Sequence, residues 1–156
     1  AVWRVRGDIL DITTEAWDAA MAVNVHAPFL VCQAVLPDMV ERRWGRIINY
    51  SGIAPYRGAS GQGTLKMACE GLTRAIAREY GSYNVTANCI GPGSIDVLRT
   101  PGQESGPNEG RETLDIPVPR HGTVEECSAL VVFLASEQAS YITGQSYLVN
   151  GGAHFR

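Results

Sequence analysis

The stretch Arg46-Ile47-Ile48-Asn49-Tyr50, bounded by Gly45 and Gly52, is a short run of β-branched and aromatic residues and predicts a buried strand. A second run covers residues 85–90, and a third covers residues 146–149 near the end of the chain. Helical patterns separate the three runs. Because a helix lies between each strand and the next, we expect the strands to pair in parallel within an α/β fold.

Four main helices are predicted around these strands. Their hydrophobic patterns begin near residues 14, 27, 64 and 123. The start of the first helix is predicted from the hydroxyl group of Thr13 and the acid Glu15, which are typical of a helix N-terminus. The second contains Pro37, which is expected to kink it. A glycine-rich stretch, residues 58–63, is interpreted as a flexible loop before the third helix.

The composition is that of one globular domain. The chain has 156 residues, of which 45% are hydrophobic, and we expect residues 1–156 to form a single unit. Residues 94–120 hold four of the eight prolines and are predicted to be a mobile surface segment. The net charge of −3 argues against nucleic acid as a partner.

The cellular location and the absence of a metal site are predicted from the apolar segments and the cysteine spacing. No signal-peptide core and no stretch of 18 apolar residues is present, so we expect a cytoplasmic protein with no membrane partner. The four cysteines include no CxxC pair and have no nearby His at zinc spacing. They predict reduced, buried thiols and no metal site.

Several short motifs belong together. They are Asn24-Val25-x-x-x-Phe29, Gly45-Arg46-Ile47-Ile48-Asn49, Gly61-Gln62, Gly71-Leu72-Thr73, Asn88-x-x-x-Pro92-Gly93-x-Ile95, Tyr141-Ile142-Thr143-Gly144 and Val149-Asn150-Gly151-Gly152. Taken together, they resemble the second half of a short-chain dehydrogenase/reductase, especially the 3-oxoacyl-carrier-protein reductases. The resemblance implies a Rossmann-type, doubly wound parallel sheet that binds NAD or NADP, here with three strands and without the N-terminal nucleotide-binding strands.

The resemblance also implies a set of site residues. In this family a Tyr transfers the substrate proton, and a Lys four residues later lowers the pKa of that Tyr. A Ser holds the carbonyl oxygen, and an Asn holds a water. The Asn position is Asn24, and backbone contacts to nicotinamide are expected at Pro92, Gly93 and Ile95. The family's Thr after that loop reads Val97 here.

The catalytic positions depart from the family pattern. The resemblance assigns the Ser, Tyr and Lys positions to Gly52, Leu65 and Cys69, none of which can do the required chemistry. We therefore expect little or no hydride transfer. NAD or NADP binding is then expected only from the family resemblance.

Other residues could replace the missing groups. Ser51 neighbours the Ser position, but adjacent strand residues face opposite sides. Lys66 is turned about 100° from Leu65 on a helix. Lys66 and Tyr56 are more simply interpreted as solvated surface side chains. A further alternative is that Cys69 acts as a nucleophile, which would require a nearby cation or helix N-terminus.

The family's glycine-rich TGxxxGxG turn and its ribose-binding acid would precede residue 1. In the family sheet, the strand at residues 46–50 is interior, so its bare edge would favour association. We therefore expect a fragment, a homo-oligomer, or a chain whose missing strands come from another chain. The alternative function is a non-catalytic pseudo-enzyme that acts as an oligomer partner through its two long helices.

Overall fold

The computed structural model describes residues 5, 7–58, 60–97 and 116–155. The described part is an α/β unit in which helices alternate with parallel strands. Its elements are α1 (Thr14–Met21), α2 (Ala27–Glu41), β1 (Gly45–Tyr50), α3 (Ser60–Tyr80), β2 (Val85–Pro92), α4 (Val124–Ala135) and β3 (Ser146–Val149). The predicted fold class is confirmed, and each predicted strand is found within two residues of its expected end.

The three strands form one parallel sheet in the order β1-β2-β3. Asn49 of β1 lies opposite Cys89 of β2, which in turn lies opposite Ser146 of β3. Both neighbours of β2 are strands, and its residues from Val85 to Gly91 are all buried. Within the described residues, β1 pairs only with β2, so its other edge carries no strand.

Apolar clusters lie on both faces of this sheet. One cluster joins Ile47, Val85 and Ala87 to residues of α2 and α3, including Cys32 and Ile76. The second joins other strand residues to α4 and the segment that follows it, with Ile90, Leu134 and Ala139 buried at its centre. The sheet is therefore the middle layer of three.

The helix starts follow the local sequence. The Thr13 hydroxyl accepts a hydrogen bond from the Ala16 N–H at 3.2 Å, as its N-cap position predicts. No helix-breaking residue separates α1 from α2, and a π-helical turn, Ala22–His26, joins them. The two predicted helices are therefore one continuous helix, which also runs through Pro37.

The predicted loop at residues 58–63 is shorter than expected, because α3 already begins at Ser60. Gly61 belongs to this helix and packs closely against its neighbours. A Cβ at Gly61 would lie 2.6 Å from Val5 Cγ1 and 3.0 Å from Ile12 Cδ1. Glycine here therefore serves close packing instead of loop flexibility.

Much of the segment at residues 94–120 lies outside the described residues, which stop at Val97 and resume at Ile116. Its described ends are held in place. Ile95 forms a parallel bridge with Gly122, and the Val118 N–H donates to Gly151 O at 2.9 Å. The predicted mobility of this segment stays a prediction.

The continuous helix from Thr14 to Glu41 is long and apolar enough to cross a membrane by length and composition. This is weak support for a membrane span, because core helices of soluble proteins meet the same criterion. The predicted absence of a membrane partner stays a prediction.

Candidate active site

The candidate site lies where the parallel strands end. Ser51 and Gly52 follow β1, and Pro92 to Ile95 close and follow β2. In open parallel sheets, ligands bind beyond the carboxyl ends of the strands. Helix α3 packs against both strands and against the short turn Ala54–Arg57, so its side chains reach this edge.

Asn24 lies in the π-helical turn between α1 and α2 and is buried. Its Nδ2 donates to Ala20 O at 2.9 Å. The turn packs against α3, and π-helical turns are frequent at functional sites. The geometry thus holds Asn24 in a fixed orientation beside α3.

Leu65 faces the apolar interior. It is 0% exposed and lies in a cluster with Val5 and Ala20, against which Ile12 and Trp17 also pack. A side chain enclosed by apolar groups on this side of α3 cannot face a substrate at the end of β1. This position therefore does not fit the role of the proton donor in the expected alignment.

Lys66 is the cationic side chain that reaches the end of β1. It is half-buried, and its Nζ donates to Tyr50 O at 3.4 Å. The Cys69 thiol approaches the same carbonyl oxygen at 3.8 Å. Lys66 was expected to be a solvated surface side chain, and its ammonium group is indeed exposed where it donates to Tyr50 O, although the residue as a whole is partly buried.

Gln62 lies four residues before Lys66, one turn nearer the start of α3. Its Oε1 is buried, and no hydrogen-bond partner for it is found in the part of the chain that the structure describes. A buried acceptor without a partner is costly, so such an atom often marks a position that a ligand or water completes. Gln62 is not among the site residues predicted from the sequence.

Glu70 organises a buried polar cluster that the sequence analysis also missed. The carboxylate is 1% exposed. It accepts hydrogen bonds from Ser51 Oγ at 2.9 Å, from Tyr56 OH at 2.9 Å and from Ser146 Oγ at 3.1 Å. Arg74, one turn later, adds an ion pair at 3.2 Å. We call these five residues the Glu70 cluster.

The Glu70 cluster holds two side chains, Ser51 and Tyr56, that were considered as replacements for the missing catalytic groups. Ser51 is buried and its hydroxyl is directed to Glu70, which agrees with the expectation that it does not take the Ser position. Tyr56 is half-buried and its phenol donates to both Glu70 oxygens, so the expectation of a solvated side chain is wrong. Gly52, between the two, has no side chain to contribute.

The predicted nicotinamide contacts lie beyond β2. The Gly93 N–H is used within the fold, because it donates to Val149 O at 2.9 Å. Ile95 lines a cavity of about 180 Å³ together with Arg120 and Asn150. Its own N–H and C=O take part in no backbone hydrogen bond among the described residues. A carboxamide, which offers one acceptor and a donor, would match these two groups.

Two of the three histidines, His26 and His121, lie on separate parts of the fold. His26 is exposed in the π-helical turn. His121 is exposed beside the cavity beyond β2, where its Nδ1 lies 2.8 Å from Ser94 Oγ. Val97, which replaces a polar residue of the family pattern, is 44% exposed.

Comparison with known proteins places this geometry in a family. The family profile described as "Enoyl-(Acyl carrier protein) reductase" matches residues 1–154. The human "Dehydrogenase/reductase SDR family member 4" is 40% identical over 156 residues, covering 96% of this chain and 55% of that protein. The 3-oxoacyl-[acyl-carrier-protein] reductase of Chlamydia muridarum is 38% identical, covering 92% of this chain and 59% of that protein.

Solved structures agree with the sequence comparisons. A short-chain type dehydrogenase/reductase from Mycobacterium ulcerans superposes with a TM-score of 0.86 and 31% identity, covering 94% of this chain and 55% of that chain. A blue fluorescent protein from a metagenomic library, solved in complex with NADPH, gives 0.84 and 31% identity, covering 96% and 60%. The present chain thus spans about half the length of its relatives, and it belongs to the short-chain dehydrogenase/reductase family.

Proposed function

We propose that this chain is a catalytically impaired short-chain dehydrogenase/reductase-like protein. Its site keeps the cation and the buried Asn of a carbonyl/alcohol oxidoreductase and lacks the proton donor. The observation that carries the proposal is the pair Gln62 and Lys66, four residues apart on α3, with the Lys66 ammonium at the end of β1.

The family pattern requires a Lys four residues after the proton donor, on the same helical face. Lys66 meets this requirement, and it is the only lysine of the chain. The pair Leu65 and Cys69 does not meet this requirement. Leu65 is enclosed in the apolar core, and Cys69 carries no positive charge. We therefore infer a register shifted by three residues, in which Gln62 takes the proton-donor position and Lys66 the Lys position.

The side chains at these positions limit the chemistry. A glutamine amide can donate a hydrogen bond to a carbonyl oxygen, but it cannot give up a proton near neutral pH. Gly52 offers no hydroxyl, and the hydroxyls of Ser51 and Tyr56 are directed to Glu70. The site is thus suited to orient a carbonyl group and unsuited to reduce it.

NAD or NADP is the cofactor that the family relationship suggests, and a structural neighbour is described in complex with NADPH. In this chain, the backbone of Ile95 supports the proposal, because its N–H and C=O suit the nicotinamide carboxamide. When bound, the cofactor would supply the hydride. Asn24 and Lys66 would then orient groups around the substrate oxygen.

The second candidate function is an oligomer partner without catalysis. It is favoured by the exposed apolar side chains of α2, where Phe29, Leu30 and Val31 are each about half exposed or more. Met67 on α3 is also exposed. A second copy of the chain, or a chain that supplies further strands beside β1, would cover such surfaces. A cytoplasmic location remains a prediction.

The experiment that tests the proposed function combines binding with turnover. The purified chain is titrated with NADPH, and NADPH oxidation is then followed with a 3-oxoacyl thioester. We expect oxidation at the background rate. Turnover above background that is lost in the Lys66→Met variant would refute catalytic impairment. Co-purification with a catalytically intact relative, together with absence of NADPH binding, would favour the oligomer partner.

A further inference from the structure

A serine and a histidine meet beside the cavity beyond β2. Ser94 Oγ lies 2.8 Å from His121 Nδ1, although the two residues are 27 positions apart in sequence. Ser94 is partly buried and His121 is exposed, so water and small molecules can reach the pair. A hydroxyl group that is hydrogen-bonded to an imidazole is the arrangement that activates a serine as a nucleophile. The proposed reductase chemistry uses neither side chain.

The backbone holds the two residues together. The Gly122 N–H donates to Ser94 O at 2.9 Å, and the Asp96 N–H donates to Gly122 O at 2.8 Å. Ile95 and Gly122 form a parallel bridge between the same two segments. Gly122 also has to be small, because a Cβ at this position would lie 2.8 Å from Ile95 Cδ1. The contact between Ser94 and His121 is therefore supported by the fold on both sides.

His121 is better suited than the neighbouring Glu126 to accept the serine proton. The Glu126 carboxylate accepts hydrogen bonds from Arg120 at 2.6 Å and 2.9 Å and from the Thr123 N–H at 2.8 Å. The hydrogen bond with Arg120, and then the one from Thr123, lower the pKa of Glu126 to about 2, so it is a poor base. When the imidazole proton of His121 is on Nε2, Nδ1 accepts the hydrogen bond from the Ser94 hydroxyl.

The cavity beside the pair has room for a short acyl group. Its volume is about 180 Å³, and its lining includes Ser94 and the apolar side chains of Ile95, Val118 and Val149. Pockets for drug-sized ligands measure about 300–1,000 Å³, so this cavity suits a chain of a few carbon atoms. The Ile95 N–H follows the serine in the chain and takes part in no backbone hydrogen bond among the described residues. An N–H at that position can donate to the oxygen that becomes negative during acyl transfer.

We propose that Ser94 and His121 form an acyl-transfer dyad that hydrolyses esters of short carboxylic acids. Ser94 is the nucleophile, His121 is the general base, and the Ile95 N–H donates to the developing oxyanion. This inference goes beyond the proposed function and does not depend on it. Because a bound nicotinamide would occupy the same N–H of Ile95, the reaction belongs to the chain without NAD or NADP.

The reaction proceeds in two steps, with water as the second substrate. Ser94 Oγ attacks the acyl carbon while His121 Nδ1 takes the hydroxyl proton. The bond to the leaving oxygen then breaks, and that oxygen takes the proton from His121 and departs as an alcohol or phenol. A water molecule attacks the acyl-serine in the same way, with His121 accepting its proton and returning it to Ser94 Oγ. The products are an alcohol and a carboxylic acid, and no group is oxidised or reduced.

The test uses two probes on the folded chain without cofactor. Hydrolysis of p-nitrophenyl acetate is followed by the release of p-nitrophenol. A fluorophosphonate then traps the nucleophile, because the serine oxygen displaces fluoride and forms a stable bond to phosphorus. Trypsin places Ser94 in the peptide 79–99, in which mass spectrometry locates the label. We expect hydrolysis above the rate of the urea-unfolded chain, and a label on Ser94 that is lost in urea.

Variants separate the dyad from general surface reactivity. Ser94→Ala and His121→Gln should each lower the rate of hydrolysis by about tenfold or more, and His121→Gln should also prevent labelling of Ser94. The matched controls are Ser128→Ala on α4 and His26→Gln in the π-helical turn, which replace an exposed serine and an exposed histidine. Both controls should leave the rate and the label unchanged.

Three results would overturn the proposal. They are equal rates of hydrolysis for the wild-type and Ser94→Ala chains, absence of the fluorophosphonate from Ser94 in the folded chain, and equal labelling of Ser94 in the folded and urea-unfolded chains. The last two comparisons need no variant, so they decide the question even if a substitution prevents folding.

Discussion

At the scale of single residues, the site depends on which side chains of α3 reach the end of β1. Adjacent residues of a helix point about 100° apart, so a shift of one position exchanges a core side chain for a site side chain. Leu65 and Lys66 illustrate the difference, because the first is fully buried among apolar groups and the second donates to Tyr50 O. The candidate site is therefore defined by Gln62, Lys66 and Asn24.

Glu70 gives the first prediction at this scale. Glu70→Ala removes the carboxylate that accepts hydrogen bonds from the Ser51, Tyr56 and Ser146 hydroxyls and leaves a cavity beside them. We expect the free energy of unfolding to fall by about 3 kcal/mol or more, as measured by urea denaturation. Glu79→Ala, at an exposed position of the same helix, should change it by less than about 0.5 kcal/mol. Equal effects of the two substitutions would argue against the cluster.

The sequence allowed only part of this site to be predicted. The positions of Asn24 and Ile95 could be predicted, because each belongs to a short motif next to a strand or helix end, and their roles in the site stay predictions. The proposed Gln62–Lys66 register could not be predicted, because residues 62–69 offer several polar and apolar positions and only the packing of α3 shows which face is buried. The Glu70 cluster depends on Ser146, which is 76 positions away in sequence, so no local pattern reveals it.

At the scale of elements, the start of α4 shows a complete capping box. Thr123 Oγ1 accepts from the Glu126 N–H, and the Glu126 carboxylate accepts from the Thr123 N–H at 2.8 Å. Thr123→Ala should therefore lower the free energy of unfolding by about 1 kcal/mol at neutral pH. The measurement is urea denaturation, with Ser128→Ala on the exposed side of α4 as the control. A loss no larger than that of the control would contradict a stabilising cap.

The same cap predicts a pH dependence. The hydrogen bond with Arg120, and then the one from the Thr123 backbone, lower the pKa of Glu126 to about 2 from its ordinary 4.5. A lowered pKa in the folded state stabilises the fold above the unfolded value and ceases to do so as pH falls through the folded value. The melting temperature of the wild-type chain should thus fall between pH 4.5 and 2 more steeply than that of Glu126→Gln. Identical pH profiles would refute this assignment.

The elements themselves were largely predictable, because the buried strands are continuous apolar runs and the helices carry apolar stripes. The differences between the predicted and the observed elements arise where one element meets the next. The π-helical turn Ala22–His26 fuses two predicted helices, since nothing in that segment breaks a helix. The start of α3 lies earlier than predicted, because Gly61 is needed for close packing against Val5 and Ile12 and does not mark a loop.

At the scale of the whole molecule, the open edge of β1 and the apolar surface of α2 are the features that favour association. We expect the chain in isolation to sediment as an oligomer or to aggregate, and the associated fraction should rise with protein concentration. Replacing Leu30 and Val31 by Glu should shift it toward monomer without loss of helical circular dichroism, because both side chains are exposed. Sedimentation as a compact monomer that melts cooperatively, in the unsubstituted chain, would contradict this expectation.

The proposed register requires the Lys66 ammonium to stand beside the side chain at position 62, where a proton donor would act. The most direct measurement is the pKa of the phenol introduced by Gln62→Tyr, taken from the absorbance difference against the wild-type chain as pH is raised. We expect this pKa to lie about one unit or more below the ordinary value near 10, and to return to it when Lys66→Met is added. The same pKa with and without Lys66 would contradict the claim.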